Sequence, residues 1–336
     1  MEKKVLILSQ LPEDAARAMI GSKVNSEEME NVSIVTYGGS SYTDLVLAVS
    51  DADVIIGDYT GNVAMDAAVM RSAKKCLLIQ QPSTGYEHID VDAAAREGIP
   101  VANVGGANTN AVAEHAIMLM LACLKNLPLA CQKTKAGEWA QDEMPLYGVF
   151  ELWGKTLGIV GVGRIGKEVA RRAKSFGACM IYYDIDRLGP EAERELALVY
   201  SALDQLVEES DVITIHTPLT PETEGLINAS RIAKMKPGAV LVNVSRGGIV
   251  DEVALAEALK AKRIQSAGLD VFSQEPPERA NPLLNVPNAI LTPHIAGATN
   301  ESRARIIDMT IENVVRMIRG EEPVNIVNGV KPRFAR

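Results

Sequence analysis

Gly161, Gly163 and Gly166 stand in the run Gly161-Val-Gly163-Arg164-Ile165-Gly166, directly after the apolar stretch Thr156–Val160, and Asp184 follows eighteen residues after the last glycine. Glycines at this spacing, between a strand and a helical pattern (Lys167–Phe176), form a dinucleotide-binding fingerprint. Gly161 permits a tight turn, Gly163 lets a pyrophosphate approach the backbone, and Gly166 lets helix and strand pack closely. N–H groups near Arg164 and Ile165 would meet the phosphates at the helix N-terminus. Asp184 would accept hydrogen bonds from the adenosine ribose and repel a 2′-phosphate. Ile185 and Asp186 offer that phosphate no cation, so NAD is expected rather than NADP, with Arg187 the one residue against it. A structural turn without ligand and an S-adenosylmethionine site are the other readings of the glycines, and the flanking strand, helix and acid favour the dinucleotide.

Three charged residues fall later at strand ends or adjoining loops: Arg246 in Asn243–Glu252, Glu275 in Gly268–Pro276 and His294 in Thr292–Gly297. An imidazole titrates near neutrality without a large perturbation and so suits a proton donor. A nearby carboxylate would stabilise the imidazolium, raise its pKa and fix the ring. An arginine offers a planar fork to carboxylate and carbonyl oxygens that lysine cannot reproduce. Taken singly, Arg246 could equally be a surface ion-pair member and Glu275 a turn residue before Pro276.

These residues need a scaffold, and the hydrophobic pattern supplies one. Val5–Leu8, Val32–Thr36, Val54–Ile56, Leu77–Ile79 and Val101–Asn103 read as strands, separated by helical segments such as Pro12–Ile20, Val63–Arg71 and Val91–Glu97. Apolar strands joined by helices imply parallel βαβ units. Asn108–Lys125 follows helical spacing, stopped at Pro128, and is long enough to bridge two domains. Six further strands are expected at Leu157–Val160, Cys179–Tyr183, Val212–His216, Ala239–Val244, Ser266–Val271 and Ala289–Thr292, a set that matches a doubly wound dinucleotide fold. Glu301–Arg319 reads as one amphipathic helix that packs back on the first domain. The expected organisation is α/β with two doubly wound parallel sheets: a discontinuous substrate domain (1–104 and 298–336) into which a Rossmann-type cofactor domain (105–297) is inserted.

With 336 residues, 47% of them hydrophobic, the chain suits about two globular domains. A net charge of −9 opposes a nucleic-acid partner. The start, Met1–Leu8, has too short an apolar run for a signal peptide, and Ala116–Leu124 cannot span a bilayer. Cys76, Cys123, Cys131 and Cys179 show neither disulfide nor metal spacing, so no metal is expected. Cys76, Cys123 and Cys179 lie among apolar neighbours and read as buried thiols of a cytoplasmic protein.

The fingerprint, the three charged residues and the stretch His216–Thr223 together resemble the D-isomer-specific 2-hydroxyacid dehydrogenases over nearly the whole chain. The resemblance implies a flavodoxin-like substrate domain, NAD, a 2-keto or D-2-hydroxy acid substrate and a homodimer formed through the cofactor domain. It implies that His294 is the acid, Glu275 its partner and Arg246 the substrate-binding cation. Thr217, Val244, Ser245, Arg246, Asp270, His294, Ala296 and Gly297 would line the cofactor site. By the same analogy, the N–H groups of Ser83, Thr84 and Gly85, in a loop expected to open a helix, would hold the substrate carboxylate opposite Arg246 across a cleft, with Asn108 nearby. His216, His115 and His88 are given no chemistry.

Departures within the family narrow the substrate. Phosphoglycerate-specific members carry an arginine after the third strand, where this chain has Gly57-Asp58-Tyr59-Thr60-Gly61-Asn62 and Asp58 would repel a phosphate. Formate-oxidising members have glutamine in place of Glu275, and phosphite-oxidising members a lysine in place of Thr84. With the sequence ending at Arg336, the regulatory domain of some members is not expected. The expected activity is that of an NAD-dependent oxidoreductase interconverting a 2-keto acid and a D-2-hydroxy acid, in a chain that resembles both the phosphoglycerate dehydrogenases and the hydroxypyruvate–glyoxylate reductases, the alternatives being phosphoglycerate dehydrogenase and an NAD-binding corepressor-like scaffold.

Overall fold

The computed structural model describes residues 2–39 and 41–333. It divides into two compact units, one comprising the chain up to Asn108 together with Asn300 onwards, the other Thr109–Thr299. In the first unit, β1 (Lys3–Ile7) leads through α1 (Glu13–Gly21) and α2 (Ser26–Glu30) to β2 (Val32–Thr36). Then come α3 (Tyr42–Ser50), β3 (Val54–Ile56), α4 (Ala67–Ser72), β4 (Leu78–Gln80), α5 (Val91–Arg96) and β5 (Val101–Ala102). The strands are parallel in the order β2-β1-β3-β4-β5. Val5, Leu6, Val54, Ile55, Leu78 and Ile79 are fully buried, as expected of strands covered on both faces. α4 starts four residues after the expected Val63. The preceding chain folds around Asp58, and Asp66 caps the helix by accepting from the N–H groups of Ala68 and Val69.

The second unit opens with α6 (Thr109–Leu124) and α7 (Leu127–Lys135). It continues as β6 (Thr156–Val160), α8 (Arg164–Ser175), β7 (Cys179–Tyr183), α9 (Pro190–Leu196), β8 (Leu198–Tyr200), α10 (Leu203–Glu209) and β9 (Val212–Ile215). After these come α11 (Ala229–Lys234), β10 (Val240–Asn243), α12 (Glu252–Lys260), β11 (Ser266–Leu269) and β12 (Ala289–Leu291). All seven strands are parallel, in the order β12-β11-β10-β9-β6-β7-β8. The sequence reading found six of them. It missed β8, a three-residue edge strand whose central Val199 is exposed and which therefore shows no continuous apolar run. α6 packs into the main core of this unit through Ala116, Leu119 and Met120. The chain then returns to the first unit as α13 (Asn300–Arg319), which packs beside α1 and over β3 and β4.

One cysteine expectation is corrected. Cys76 and Cys123 are buried, and burial pushes both thiols up to about 12, but Cys179 is exposed. Alternation along β7 buries Met180 and Tyr182 and turns Cys179 outward. Among the described residues no group of three His, Cys, Asp or Glu side chains could hold a metal. No single described helix is long and apolar enough to cross a membrane; α6 and α7 pass that test only as a pair bent by 64°.

Candidate active site

The winding of the second sheet reverses between β6 and β9, and the glycine loop lies at that reversal, where open α/β sheets bind ligands beyond their strand ends. Gly161 has φ +92°, and a Cβ there would lie 2.9 Å from the backbone of His216 and Thr217. Gly166 sits in the first turn of α8, where a Cβ would come within 2.1 Å of the Gly161 carbonyl. Loop and helix are thus closed on each other by the absence of two side chains. Gly163 caps α8, with open space where its Cβ would be.

Asp184 follows β7. Its Oδ2 accepts from the Val162 N–H at 2.7 Å and its Oδ1 from the Asp186 N–H at 3.1 Å, so the acid is tied to the glycine loop itself. Arg187, the cation that could have met a 2′-phosphate, is engaged elsewhere. Its Nε donates to Glu193 at 2.9 Å and its guanidinium lies 5.2 Å from the Tyr200 ring centre. Beside Gly161, the Thr217 hydroxyl and His216 Nδ1 are buried without a hydrogen-bond partner among the described residues. The other His216 nitrogen pairs with the Thr214 hydroxyl at 2.9 Å, and burial pushes this imidazole down to about 3, so it is neutral. Open space at Gly163, an acid at the next strand end and unpaired polar atoms at the sheet's switch point fit a dinucleotide.

Arg246, Glu275 and His294 follow β10, β11 and β12 respectively. Asn243, buried at the end of β10, shapes the first of these loops: its Nδ2 donates to the Arg246 carbonyl at 2.8 Å and its Oδ1 accepts from the Ser245 N–H at 3.0 Å. Ser245 donates its hydroxyl to the Thr217 carbonyl, and Arg246 donates Nη1 to the Ser245 carbonyl at 2.8 Å. A Cβ on Gly247 would fall 1.9 Å from the Phe272 carbonyl carbon, so the loops after β10 and β11 touch backbone to backbone. Glu275 lies three residues past that contact. Its Oε1 accepts from the Phe272 N–H at 3.0 Å, and its Oε2 lies 2.6 Å from His294 Nδ1.

The Glu275 hydrogen bond raises the His294 pKa above its ordinary value, against partial burial and the nearby Arg246 charge. Burial works to raise Glu275, but His294, the Phe272 N–H and the Arg246 charge together hold it below the usual carboxylate value. The pair is therefore a carboxylate and an imidazole biased toward imidazolium, with Nδ1 engaged by the carboxylate.

His294 holds its position with φ +53°, a left-handed conformation uncommon outside glycine. Asp270, fully buried at the end of β11, organises this turn. It accepts the Thr292 hydroxyl at 2.6 Å and the N–H groups of Ile295 and Ala296 at 2.9 and 2.8 Å, while its own carbonyl takes the His294 N–H. His115 on α6 completes the group, with Nε2 3.1 Å from the Thr292 hydroxyl. Burial lowers its pKa against the attraction of Asp270. Thr292 and Asn243 were not identified from sequence. The one available signal was a polar residue ending an otherwise apolar strand, which Asn243 gives and Thr292 shares with many strand ends.

In the first unit the loop after β4 carries Ser83, Thr84 and Gly85. Their three N–H groups donate to no group among the described residues. Side chains hold the loop instead: Ser83 donates to the Gly85 carbonyl at 2.7 Å, Gln81 to Ser83 Oγ at 2.7 Å, Thr84 to Asn108 Oδ1 at 3.1 Å, and Asn103 to the Thr84 carbonyl at 2.8 Å. Asn108 thus braces the loop. The expectation that this loop opens a helix is corrected: α5 begins only at Val91, capped by Asp90, after Ile89 has bridged to Met65. What the loop offers an anion is therefore its unpaired N–H groups and not a helix dipole. Asp58 is buried and accepts from the N–H groups of Thr60, Asn62 and Val63 and from the Thr60 hydroxyl. Burial opposes its ionisation, yet these donors keep its pKa below the ordinary value. His88 packs against Gly61 with burial lowering its pKa.

Residues 117–296 match the family model described as the NAD binding domain of D-isomer specific 2-hydroxyacid dehydrogenases. A glyoxylate reductase of Korarchaeum cryptofilum is 42% identical over 84% of this chain and 85% of its own length. A D-3-phosphoglycerate dehydrogenase of Methanocaldococcus jannaschii is 39% identical over 97% of this chain, which spans only 59% of that longer protein. Among solved structures, the apo D-mandelate dehydrogenase of Rhodotorula graminis superposes with a TM-score of 0.88, at 25% identity over 99% of this chain and all of that one.

Proposed function

The chain belongs to the D-isomer specific 2-hydroxyacid dehydrogenases, NAD-dependent enzymes, and on that premise we propose that it reduces a 2-oxo acid to the D-2-hydroxy acid. The observation that carries the reading is the 2.6 Å contact between His294 and Glu275, in the unit that also bears the Arg246 loop. Bound NADH supplies the hydride. Gly161, Gly163 and Gly166, with the N–H groups of Arg164 and Ile165, hold its phosphates. Asp184 holds the adenosine ribose, and Thr217, Val244, Ser245, Ala296 and Gly297 line the rest. Asp270 fixes the turn that carries His294.

Arg246 binds carboxylate and carbonyl oxygens, polarising the C=O, and His294 gives the developing alkoxide its Nε2 proton. Glu275 keeps the ring oriented and stabilises the imidazolium before transfer. The loop at Ser83, Thr84 and Gly85 binds the substrate carboxylate, and Asn108 holds Thr84 in place. The decisive experiment is an NADH oxidation assay across a panel of 2-oxo acids that includes glyoxylate and hydroxypyruvate. Stoichiometric NADH binding without turnover on any member would reject the enzyme reading and favour a scaffold. A phosphoglycerate dehydrogenase role is disfavoured by the ionised Asp58 and the absence of arginine between Gly57 and Asn62.

Homodimerisation is part of the proposal. Trp139, Leu146, Tyr147 and Trp153 are exposed between α7 and β6, a concentration of large apolar side chains that a second copy would cover. Sedimentation analysis of the chain and of Leu146→Asp tests it. Cytoplasmic residence is supported by four free cysteines.

A further inference from the structure

The first unit contains a cavity of about 330 Å³ that the catalytic reading does not use. It lies where the winding of the first sheet reverses, between β1 and β3, and is flanked by α1 and α13. Ile7 and Ile56 at the strand ends, Met19 from α1 and Ile307 and Ile311 from α13 make its walls overwhelmingly apolar, and no acidic side chain lines it. Its volume falls within the roughly 300–1,000 Å³ of small-molecule sites, and a switch point is where open α/β sheets bind ligands.

What ties the cavity to a particular occupant is Pro82, which lines it and is followed directly by the N–H groups of Ser83, Thr84 and Gly85. In a 2-oxo acid the substituent at C2 is one bond from the carbon that bears the carboxylate. A carboxylate bound by these N–H groups would have its substituent within one residue of Pro82, which lines the cavity. Glyoxylate carries only hydrogen there and would leave the apolar walls uncovered.

Resting on the reading of this chain as a 2-oxo acid reductase, we propose that the cavity between α1, α13 and the ends of β1 and β3 receives the substrate side chain. The preferred substrates are then 2-oxo acids with branched aliphatic or aromatic substituents. Ile307 selects among them: it lines the cavity, and its partial exposure lets it be enlarged without disturbing the packed side of α13. Arg303 and the buried Thr310 hydroxyl, which has no partner among the described residues, are the polar groups that α13 contributes to the lining.

The test measures kcat/KM with NADH for glyoxylate, the 2-oxo acid of leucine, phenylpyruvate and 2-oxoglutarate, on the wild-type chain, Ile307→Trp and Ile307→Ala. NADH affinity and the circular dichroism spectrum verify that each variant is folded. A methylene-sized difference in an apolar pocket is worth roughly 10–200-fold, so the leucine-derived acid should exceed glyoxylate by at least about 10-fold. The ratio of phenylpyruvate to glyoxylate should fall by about the same factor in Ile307→Trp and hold or rise in Ile307→Ala. A wild-type preference for glyoxylate, or ratios that ignore both substitutions, overturns the pocket while leaving the reductase reading intact. A preference for 2-oxoglutarate overturns it too, by making Arg303 rather than the apolar walls the selector. No turnover on any of the four acids overturns the reductase reading on which the pocket depends.

Discussion

His294 Nδ1 lies 2.6 Å from Glu275 Oε2, while the other oxygen of the same carboxylate takes the Phe272 N–H. The backbone bond holds the acid in place, and the acid in turn holds the imidazole. The pair acts on charge as well as position, because the carboxylate raises the His294 pKa and is itself held low.

Reduction needs imidazolium and oxidation needs neutral imidazole, so the two directions should have opposed pH profiles. The reductive rate should be constant at acid pH and fall as pH rises through a His294 pKa above 6.5. Glu275→Gln removes the group that raises this pKa, and the fall should move to lower pH. Parallel profiles in the two directions, measured on the chemical step, would count against His294 as the acid.

His294→Ala should reduce turnover by roughly 100- to 10,000-fold, the usual contribution of positioned acid–base catalysis, with NADH affinity nearly unchanged. Fluorescence titration and steady-state rates separate the two effects. Near-wild-type turnover would move the proton donor elsewhere.

The pair also links pH to stability. His294, raised when folded, contributes fully below its ordinary 6.5, and that contribution is lost as pH rises through the folded value. Glu275, depressed when folded, contributes above its ordinary 4.5 and loses that as pH falls through the folded value. Thermal denaturation of wild type minus Glu275→Gln should therefore show its largest difference between these two ordinary values. The difference should be small, since both side chains are partly solvated.

Gly163→Ala and Gly166→Ala should fail in different ways. The Gly166 substituent meets a carbonyl at 2.1 Å, so the helix must shift, at about 1–3 kcal/mol of stability, with weaker NADH binding as a consequence. The Gly163 substituent meets nothing in the protein, so stability should hold while NADH binding weakens. Chemical denaturation beside NADH titration distinguishes the two.

Asp270→Ala would leave the Thr292 hydroxyl and the Ile295 and Ala296 N–H groups without their acceptor, the buried Ala296 donor most of all. Each orphaned buried donor costs about 1–3 kcal/mol. A clear drop in melting temperature should accompany the loss of turnover; an unchanged melting temperature would show that the turn holds itself.

Much of this arrangement was legible because strand-end chemistry leaves a local trace. Arg246 follows the β-branched run of β10, Glu275 the buried strand β11 and His294 the short apolar strand β12, while Gly161 to Gly166 is a contiguous pattern. What stayed hidden depends mostly on contacts between distant segments. The bond from His115 to Thr292 joins positions 177 residues apart whose sequence neighbours carry no sign of the partner, whereas the local bracing of Arg246 by Asn243 left only a polar residue at the end of an apolar strand. β8 escaped because an edge strand need be apolar on only one face. The cavity beneath α13 escaped for a related reason, since its walls come from α1, two strand ends and a helix nearly 300 residues later in the chain.

The touching backbones at Gly247 and Phe272 carry a consequence for how such sites diversify. Because main chain meets main chain there, the spacing between the two loops does not depend on which side chains stand at 246 and 275. The scaffold offers sockets at fixed separation, and a new reaction requires only a different occupant in one of them.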